Sequence, residues 1–179
     1  MSARRWAVGT GAVVVLVATG TWAARPGSVD TRLWDQVRPL IEARLAADSD
    51  GTGYGGEVPA LHARWFCRAE ALDLAERGGE VRAGVDTLCL EYGVREGGLV
   101  ECSGGQGPQV LRLERDPHGG YRVVSREAPP DGAGNAEWTQ AHFGFFARAA
   151  LDDAMPSDAL ENAARAHFGL PADAPVGDC

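Results

Sequence analysis

Residues 80–127 read EVRAGVDTLCLEYGVREGGLVECSGGQGPQVLRLERDPHGGYRVVSRE, and this stretch decides the fold. Segments rich in β-branched and aromatic residues alternate in it with clusters of glycine, proline and aspartate, which is typical of strands and turns. The strand segments are 81–94, 99–102, 109–115 and 121–127. Because their connections are short, consecutive strands are expected to pair antiparallel, and the stretch predicts an antiparallel meander.

Helices are predicted on both sides of the meander. Residues 28–47 carry apolar side chains at three- and four-residue spacing, and Pro39 inside this segment is expected to kink the helix or split it in two. Residues 136–155 and 157–168 show the same spacing, and Gly169 can end the second of these helices. The pattern predicts one α+β domain with an N-terminal helix, an antiparallel sheet and two C-terminal helices.

The first 25 residues have a separate role. Arg4 and Arg5 precede an uncharged stretch, residues 6–24, which as a helix would span about 28 Å, close to the hydrocarbon thickness of a bilayer. Its length fits a single transmembrane anchor, whereas the small residues at its end fit a cleaved signal peptide, and both alternatives stay open. In either case residues 26–179 are expected to be exported, as a secreted domain or one anchored by this segment.

The charge balance excludes some classes of protein. The 179 residues include 25 acids and 17 bases, for a net charge of −8, and every base is arginine. Without residues 1–25 the chain loses three arginines and no acid, so the exported part has a net charge of −11. Nucleic-acid binding is disfavoured because it requires a basic surface, and membrane contact is expected only through the N-terminal segment.

Several segments carry a resemblance to a known group of proteins. They are Leu90-Glu91-Tyr92, Gly97-Gly98, Ser103-Gly104-Gly105-Gln106-Gly107-Pro108-Gln109-Val110-Leu111, Gly120-Tyr121-Arg122-Val123-Val124 and Pro129-Pro130-Asp131-Gly132. The pattern resembles exported bacterial proteins for which we know no catalytic residues, and it covers about residues 60–168. The order of elements is similar to the cystatin-like or NTF2-like arrangement, in which a curved antiparallel sheet packs on helices.

This resemblance has one strand that ends at Glu91-Tyr92 and two strands after the glycine-rich loop, and it implies a fourth strand at residues 63–76. The periodicity of residues 60–77 alone predicts a helix instead, because leucine, tryptophan and alanine recur there at helical spacing. We follow the resemblance, since a fourth strand would cover an edge of the meander. The expected sheet therefore has four antiparallel strands.

Four cysteines, Cys67, Cys89, Cys102 and Cys179, lie in the exported part and predict two disulfides. Their spacing matches no tetrahedral zinc pattern, so a metal site is not expected. A turn at residues 96–97 would place Cys89 one diagonal step from Cys102, and the preceding hairpin would also bring Cys67 close to Cys89. We expect Cys89–Cys102 with Cys67–Cys179, and the alternative is Cys67–Cys89 with Cys102–Cys179.

The sequence contains no obvious catalytic cluster. His142 shares an apolar helical stripe with Trp138 and Phe145, where a packed core histidine is expected, and catalysis would require Glu137 or Asp153 to turn towards it. The aromatic run at residues 142–146 is likewise expected in the core.

The glycine-rich residues 103–108 could suggest a phosphate loop. Such a loop requires a following helix and a basic residue, whereas here a strand follows and the chain has no lysine. A bulge or a wide connection at the sheet edge is therefore expected.

Taken together, these features favour a non-enzymatic extracytoplasmic domain that binds a protein partner or a small ligand and needs no cofactor. One alternative is a hydrolase with an NTF2-like pocket that uses His142 and a carboxylate. Another is a structural component of the cell envelope. No residue pattern identifies the ligand or partner.

Overall fold

A computed structural model describes residues 29–179, and the expected signal peptide or anchor lies outside the described residues. The elements are α1 (Thr31–Ser49), β1 (Arg64–Arg77), β2 (Glu80–Arg95), β3 (Gly98–Arg115), β4 (Tyr121–Glu127), α2 (Gly134–His142), α3 (Phe145–Ala150), α4 (Asp158–Phe168) and β5 (Val176–Asp178). Two 3-10 turns, Tyr54–Glu57 and Pro59–Leu61, join α1 to β1. Among the described helices, none is long and apolar enough to cross a membrane.

The fold is α+β with a mixed sheet of five strands. β1, β2, β3 and β4 pair antiparallel in sequence order, which confirms the meander and the strand expected at residues 63–76. β5 pairs parallel with β3 at Leu99–Glu101, and nothing in the three-residue segment Val176–Asp178 predicts this strand. The four-stranded antiparallel sheet is therefore only part of the observed sheet.

β3 is longer than the sequence suggests. Residues 103–108, which resemble a loop, belong to one 18-residue strand. The register with β2 shifts by one at Cys102, because Tyr92 lies opposite Glu101 while Glu91 lies opposite Ser103. Cys102 is therefore the extra residue of a β-bulge.

Asp30 is the N-cap of α1, and its Oδ1 accepts a hydrogen bond from the Leu33 N–H at 3.0 Å. The helix continues through Pro39, so the expected split is wrong. Pro39 is exposed and lies away from the buried stripe, where water can satisfy the carbonyl that loses its helical partner.

The C-terminal region has three helices where two were expected. The predicted helix at 136–155 is interrupted at Phe143, which adopts an extended conformation, with φ −125° and ψ 133°, and separates α2 from α3. Phe143 is 3% exposed and packs over Gly84, where an added Cβ would lie 2.8 Å from the ring. We attribute the extended conformation of Phe143, which interrupts the helix, to the burial of its ring. The second predicted helix is confirmed as α4, and Gly169 ends it with φ +66°.

Two hydrophobic clusters lie on opposite faces of the sheet. In the first half of β2, odd-numbered residues pack against α1, whereas in the second half even-numbered residues pack against α4. The first set is Val81, Ala83 and Val85, and the second is Leu88, Leu90 and Tyr92. The apolar pattern changes face at Asp86 and Thr87, which are both buried. Polar side chains therefore collect at the centre of β2.

Candidate functional site

One edge of β3 is only partly covered. β2 pairs with the other edge along nearly the whole strand, while β5 covers Leu99–Glu101 and β4 covers Val110–Arg115. Between them, residues 103–109 have no strand partner on this side within the described part of the chain. We call residues 103–109 the edge segment. Its residues Gly104, Gly105 and Gln106 are exposed.

The backbone directions in the edge segment follow from the ladder. The Leu99 N–H donates to the Pro175 carbonyl and the Glu101 carbonyl accepts from the Cys179 N–H, so the backbone hydrogen-bonding groups of these odd-numbered residues face away from β2. The extra residue at Cys102 shifts this alternation by one. After the bulge, the backbone groups of the even-numbered residues Gly104, Gln106 and Pro108 therefore face away from β2. Pro108 has no N–H, and at an outward position it removes no ladder hydrogen bond.

The edge segment forms the floor of an open cleft of about 960 Å³. This edge cleft, as we call it, is lined from both faces of the sheet, by the end of β4, by α2 and by the connection from α3 to α4. The lining residues are Ser49, Trp65, Asp86, Thr87, Cys89, Gly104, Gly105, Gln106, Gly107, Pro108, Gln109, Arg126, Ala128, Pro129, Asp131, Asn135, Ala136, Thr139, Gln140, Arg148, Leu151, Asp152, Asp153 and Ala154. Its volume is within the range of about 300–1,000 Å³ typical of ligand sites.

Gln106 holds one wall of the cleft against the sheet. Its Nε2 donates to the Asp86 Oδ2 at 2.7 Å and to the Asp153 carbonyl at 2.9 Å, and its Oε1 accepts from the Met155 N–H at 2.9 Å. This one side chain of the edge segment therefore links the loop between α3 and α4 to the sheet, in addition to the packing of Met155.

Asp86 is the most buried acid in the cleft, with 3% of its surface exposed. Burial raises the pKa of its carboxyl above the ordinary value, while hydrogen bonds from the Gln106 side chain and the Thr87 N–H act in the opposite direction. No described basic side chain forms an ion pair with it. A buried acid with a raised pKa beside a cleft is a feature of functional sites, and here it also anchors Gln106.

A second polar group lies beside it. Gln109 Nε2 donates to Thr87 Oγ1 at 3.0 Å, and the Thr87 hydroxyl donates to the Gly107 carbonyl at 2.9 Å. The Gln109 Oε1 is buried and has no hydrogen-bond partner within residues 29–179. Burial of this oxygen without a partner costs free energy, which is unusual for a polar atom beside a cleft.

The charged groups of the cleft favour a cationic ligand. Asp131, Asp152 and Asp153 line it and form no ion pair with any residue that the structure describes. Of the two bases, Arg126 lies 3.7 Å from Asp48, outside the cleft, and Arg148 is unpaired within the described part. With Asp86, the lining carries four acids against two bases.

The residues of the predicted hydrolase site are not brought together. His142 stacks on Trp138 at 4.1 Å, and its Nδ1 lies 2.8 Å from the Trp138 carbonyl oxygen. Its Nε2 lies 3.7 Å from Glu127 Oε2, whereas neither Glu137 nor Asp153 contacts the ring. Asp153 instead contributes its carbonyl to the Gln106 network.

All four cysteines form disulfides, but the pairing that we favoured is wrong. The structure links Cys67 to Cys89 and Cys102 to Cys179, with Cα separations of 4.1 and 4.7 Å. Cys67 and Cys89 lie directly opposite each other in the ladder of β1 and β2. The bulge places Gly105 opposite Cys89, which moves Cys102 away from it. The bonds indicate an oxidising compartment.

Sequence reasoning also missed a buried acid next to the cleft. Glu91 is 2% exposed, and its Oε2 accepts from the Gly55 N–H at 2.8 Å, while the Ser103 Oγ accepts from the Tyr54 N–H at 2.8 Å. An added Cβ at Gly53 would lie 2.6 Å from the same Glu91 oxygen. These contacts hold the 3-10 turn on the sheet, so we assign Glu91 a structural role.

The aromatic run at residues 142–146 is only partly in the core. Phe143 is buried, whereas Phe145 and Phe146 are 72% and 74% exposed, with ring centroids 5.6 Å apart. Both rings lie outside the edge cleft.

Among residues 29–179, no group of three or more histidines, cysteines or acids is placed to hold a metal ion. No family model, curated protein or solved structure matches the chain, so the resemblance of its sequence to exported bacterial proteins stays a prediction.

Proposed function

We propose that this protein is a non-enzymatic extracytoplasmic domain that binds a protein partner or a small ligand in the edge cleft. The observation that carries the proposal is the unpaired edge segment at the floor of a cleft of about 960 Å³. Exposed residues of the edge segment lie there beside Asp131, Asp152 and Asp153, which form no ion pair within residues 29–179. Convergent polar groups in a large concavity are the usual form of a binding site.

The chemistry of the cleft supports binding over catalysis. Its buried acid, Asp86, already accepts two hydrogen bonds, and among residues 29–179 no histidine, lysine or cysteine thiol lines the cleft. The histidine considered for a hydrolase, His142, uses Nδ1 within its own helix and contacts a carboxylate on β4. A general acid–base pair requires both groups within reach of one reacting atom.

The compartment in this proposal follows from two features of the chain. The two disulfides fit an oxidising environment, and residues 1–25 have the composition of an export signal or anchor. The binding domain would therefore act outside the cytoplasm, either secreted or held at the membrane by its N-terminal segment.

Backbone amide shifts of labelled protein test the site. We expect ligands from a panel of amino acids, short peptides and monosaccharides to shift the amides of residues 104–107 and 109. Gly105→Leu should abolish these shifts, because the side chain would occupy the cleft; no atom lies within 4 Å of an added Cβ there, so the fold should be retained. Gly177→Leu is the matched control, since this strand glycine is equally open but lies outside the cleft.

Two results would contradict the proposal. Ligands that bind Gly105→Leu as tightly as the unaltered protein, or that shift only amides outside the cleft, would place the site elsewhere. Turnover of a panel ligand that disappears in His142→Gln would favour the hydrolase alternative instead.

A further inference from the structure

We infer that the edge cleft binds an extended, basic segment of a protein partner, which adds to the sheet as a strand along residues 104–108. This inference rests on the proposed function and specifies the ligand of the same site. It names one occupant, a peptide backbone with cationic side chains, rather than a small molecule.

The hydrogen-bonding groups needed for strand addition are in place. Gly104 and Gln106 each direct an N–H and a carbonyl away from β2, and Pro108 adds a carbonyl. No residue within 29–179 hydrogen-bonds to these backbone groups. Unpaired edge groups of this kind are a template for another strand.

The gap that the edge segment leaves between β5 and β4 has defined ends and a defined length. β5 leaves β3 after Glu101, and β4 joins it at Val110, so an added strand would lie between them along the same edge. Residues 104–108 extend about 17 Å at the rise of an antiparallel strand. The bulge at Cys102 marks one end, and Pro108, which can accept but cannot donate a hydrogen bond, marks the other.

The middle of the edge segment is unprotected. Sheet edges are often protected by charged residues, prolines or bulges, and here the bulge and the proline lie at the two ends, whereas Gly105 and Gly107 between them face open space. Glycine weakens a strand interior and often marks the close approach of another backbone. The glycines therefore leave room for the side chains of an incoming strand.

The aspartates that line the edge cleft favour basic side chains on the added strand. Asp152 and Asp153 are exposed beside the edge segment and, within the described residues, have no cationic partner. Asp131 lies in the same cleft and forms no ion pair with another described residue. Because the lining holds four acids against Arg126 and Arg148, an arginine or lysine on the incoming strand would offset the excess negative charge, whereas an acidic strand would be repelled.

Hydrogen exchange of backbone amides tests strand addition directly. The probe is a blocked peptide of about seven residues that alternates threonine and arginine, a length typical of strands. At a free concentration ten times its Kd, it should slow exchange at Gly104 and Gln106 about tenfold. Gly105 and Gly107 direct their N–H groups to β2, so their exchange should already be slow in the free protein. The same peptide with glutamate in place of arginine should bind more weakly.

A pair of variants isolates the backbone contribution. Gln106→Ala and Gln106→Pro both remove the side-chain contacts to Asp86 and Met155, but only proline also removes the outward N–H. We expect the peptide to bind Gln106→Pro about tenfold more weakly than Gln106→Ala, the loss of about one hydrogen bond. Equal affinities would contradict pairing at this residue.

The remaining outcomes separate this inference from the proposed function. Shifts within the edge cleft without slower exchange at Gly104 and Gln106 would overturn strand addition and leave a cleft that binds ligands. Absence of binding by either peptide would overturn strand addition, while the wider ligand panel decides the cleft. Slow exchange at Gly104 and Gln106 together with dimerisation of the protein alone would assign the edge to a second copy of the chain and overturn the inference.

Discussion

Replacement of both Cys102 and Cys179 by serine should destabilise the protein more than replacement of both Cys67 and Cys89. The Cys102–Cys179 disulfide joins residues 77 apart in the sequence, and the Cys67–Cys89 disulfide joins residues 22 apart. A longer closed loop restricts the unfolded chain more, and the chain-entropy relation gives about 4.5 kcal/mol for the longer loop and about 3.4 kcal/mol for the shorter. The free energies of unfolding of the two variants should therefore differ by about 1 kcal/mol.

The longer bond also has a local role that the shorter one lacks. Without it, β5 is held by its three-residue parallel ladder with Leu99–Glu101 and by hydrogen bonds at its ends. These join the Leu99 N–H to the Pro175 carbonyl, the Cys179 N–H to the Glu101 carbonyl and the Arg95 guanidinium to the last two carbonyls. Such short peripheral elements open at low free energy. We therefore expect the Leu99 amide to exchange faster in the Cys102→Ser, Cys179→Ser variant.

Denaturant unfolding and hydrogen exchange of the purified exported domain measure both effects. Peptide mapping without reduction first verifies the pairing in the unaltered protein and the remaining bond in each variant. The reasoning is refuted if loss of the Cys102–Cys179 bond lowers the unfolding free energy less than loss of the Cys67–Cys89 bond. Unchanged exchange at Leu99 would show that β5 does not depend on the disulfide.

Three further predictions concern the interior. Gly55→Ala should lower the unfolding free energy by about 1–3 kcal/mol by overpacking, since its Cβ would lie 2.5 Å from the Ala63 Cβ. Gly56→Ala is the control and should cost far less, because nothing lies nearer than 3.9 Å to its Cβ; equal losses in denaturant unfolding would contradict the packing. Arg82→Leu should cost about 3 kcal/mol because it leaves Asp73 without its ion-pair partner, and the double variant with Asp73→Leu should recover part of that loss, so a double variant at least as unstable would argue against the pair. Burial raises the pKa of Asp86, so the folded state binds its proton more tightly than the unfolded state does. The unfolding free energy of the unaltered protein relative to Asp86→Asn should therefore be largest below the ordinary aspartate pKa and fall as the pH rises through the raised value. A difference in unfolding free energy that grew with pH would disprove the assignment.

Local sequence patterns predicted most elements of this fold. Alternation of β-branched and aromatic residues was sufficient for β2 and β4, and helical spacing for α1 and α4. β1 was ambiguous, because Leu61, Trp65 and Ala69 fit a helix as well as a strand, and only pairing with β2 decides between them. β5 could not be predicted, since three exposed residues become a strand only when β3 lies beside them.

The errors concerned residues whose conformation depends on distant contacts. Glycines and Pro108 in the edge segment are turn-forming residues, but the ladder with β2 keeps them extended, and the proline lies where no ladder bond is lost. The register bulge at Cys102 has no signature in the sequence, and it moves Cys102 away from Cys89, which instead lies opposite Cys67 and bonds to it. Phe143 interrupts a helix because Gly84 offers space for its ring.

One signal in the sequence did point to the site. In β2 the apolar residues change from odd to even positions at Asp86 and Thr87, so each face of the strand is apolar in one half and polar in the other. A strand covered on both faces usually carries continuous apolar residues. The change of phase therefore marked the place where buried polar groups would need partners, and those partners are Gln106 and Gln109 of the edge segment.

The gap in the sheet is a fixed part of the fold because separate features hold its two ends. Pro129 and Pro130 follow closely after the last paired residue of β4, and since proline donates no N–H, β4 has little means of extending along β3. At the other end, the bond between Cys102 and Cys179 fixes β5 beside the bulge. The edge segment is already extended along β2, so a ligand strand would meet an ordered template rather than a mobile loop. Binding to such a template carries a smaller loss of conformational entropy, which favours strand addition at this edge over binding to a glycine-rich loop of the same composition.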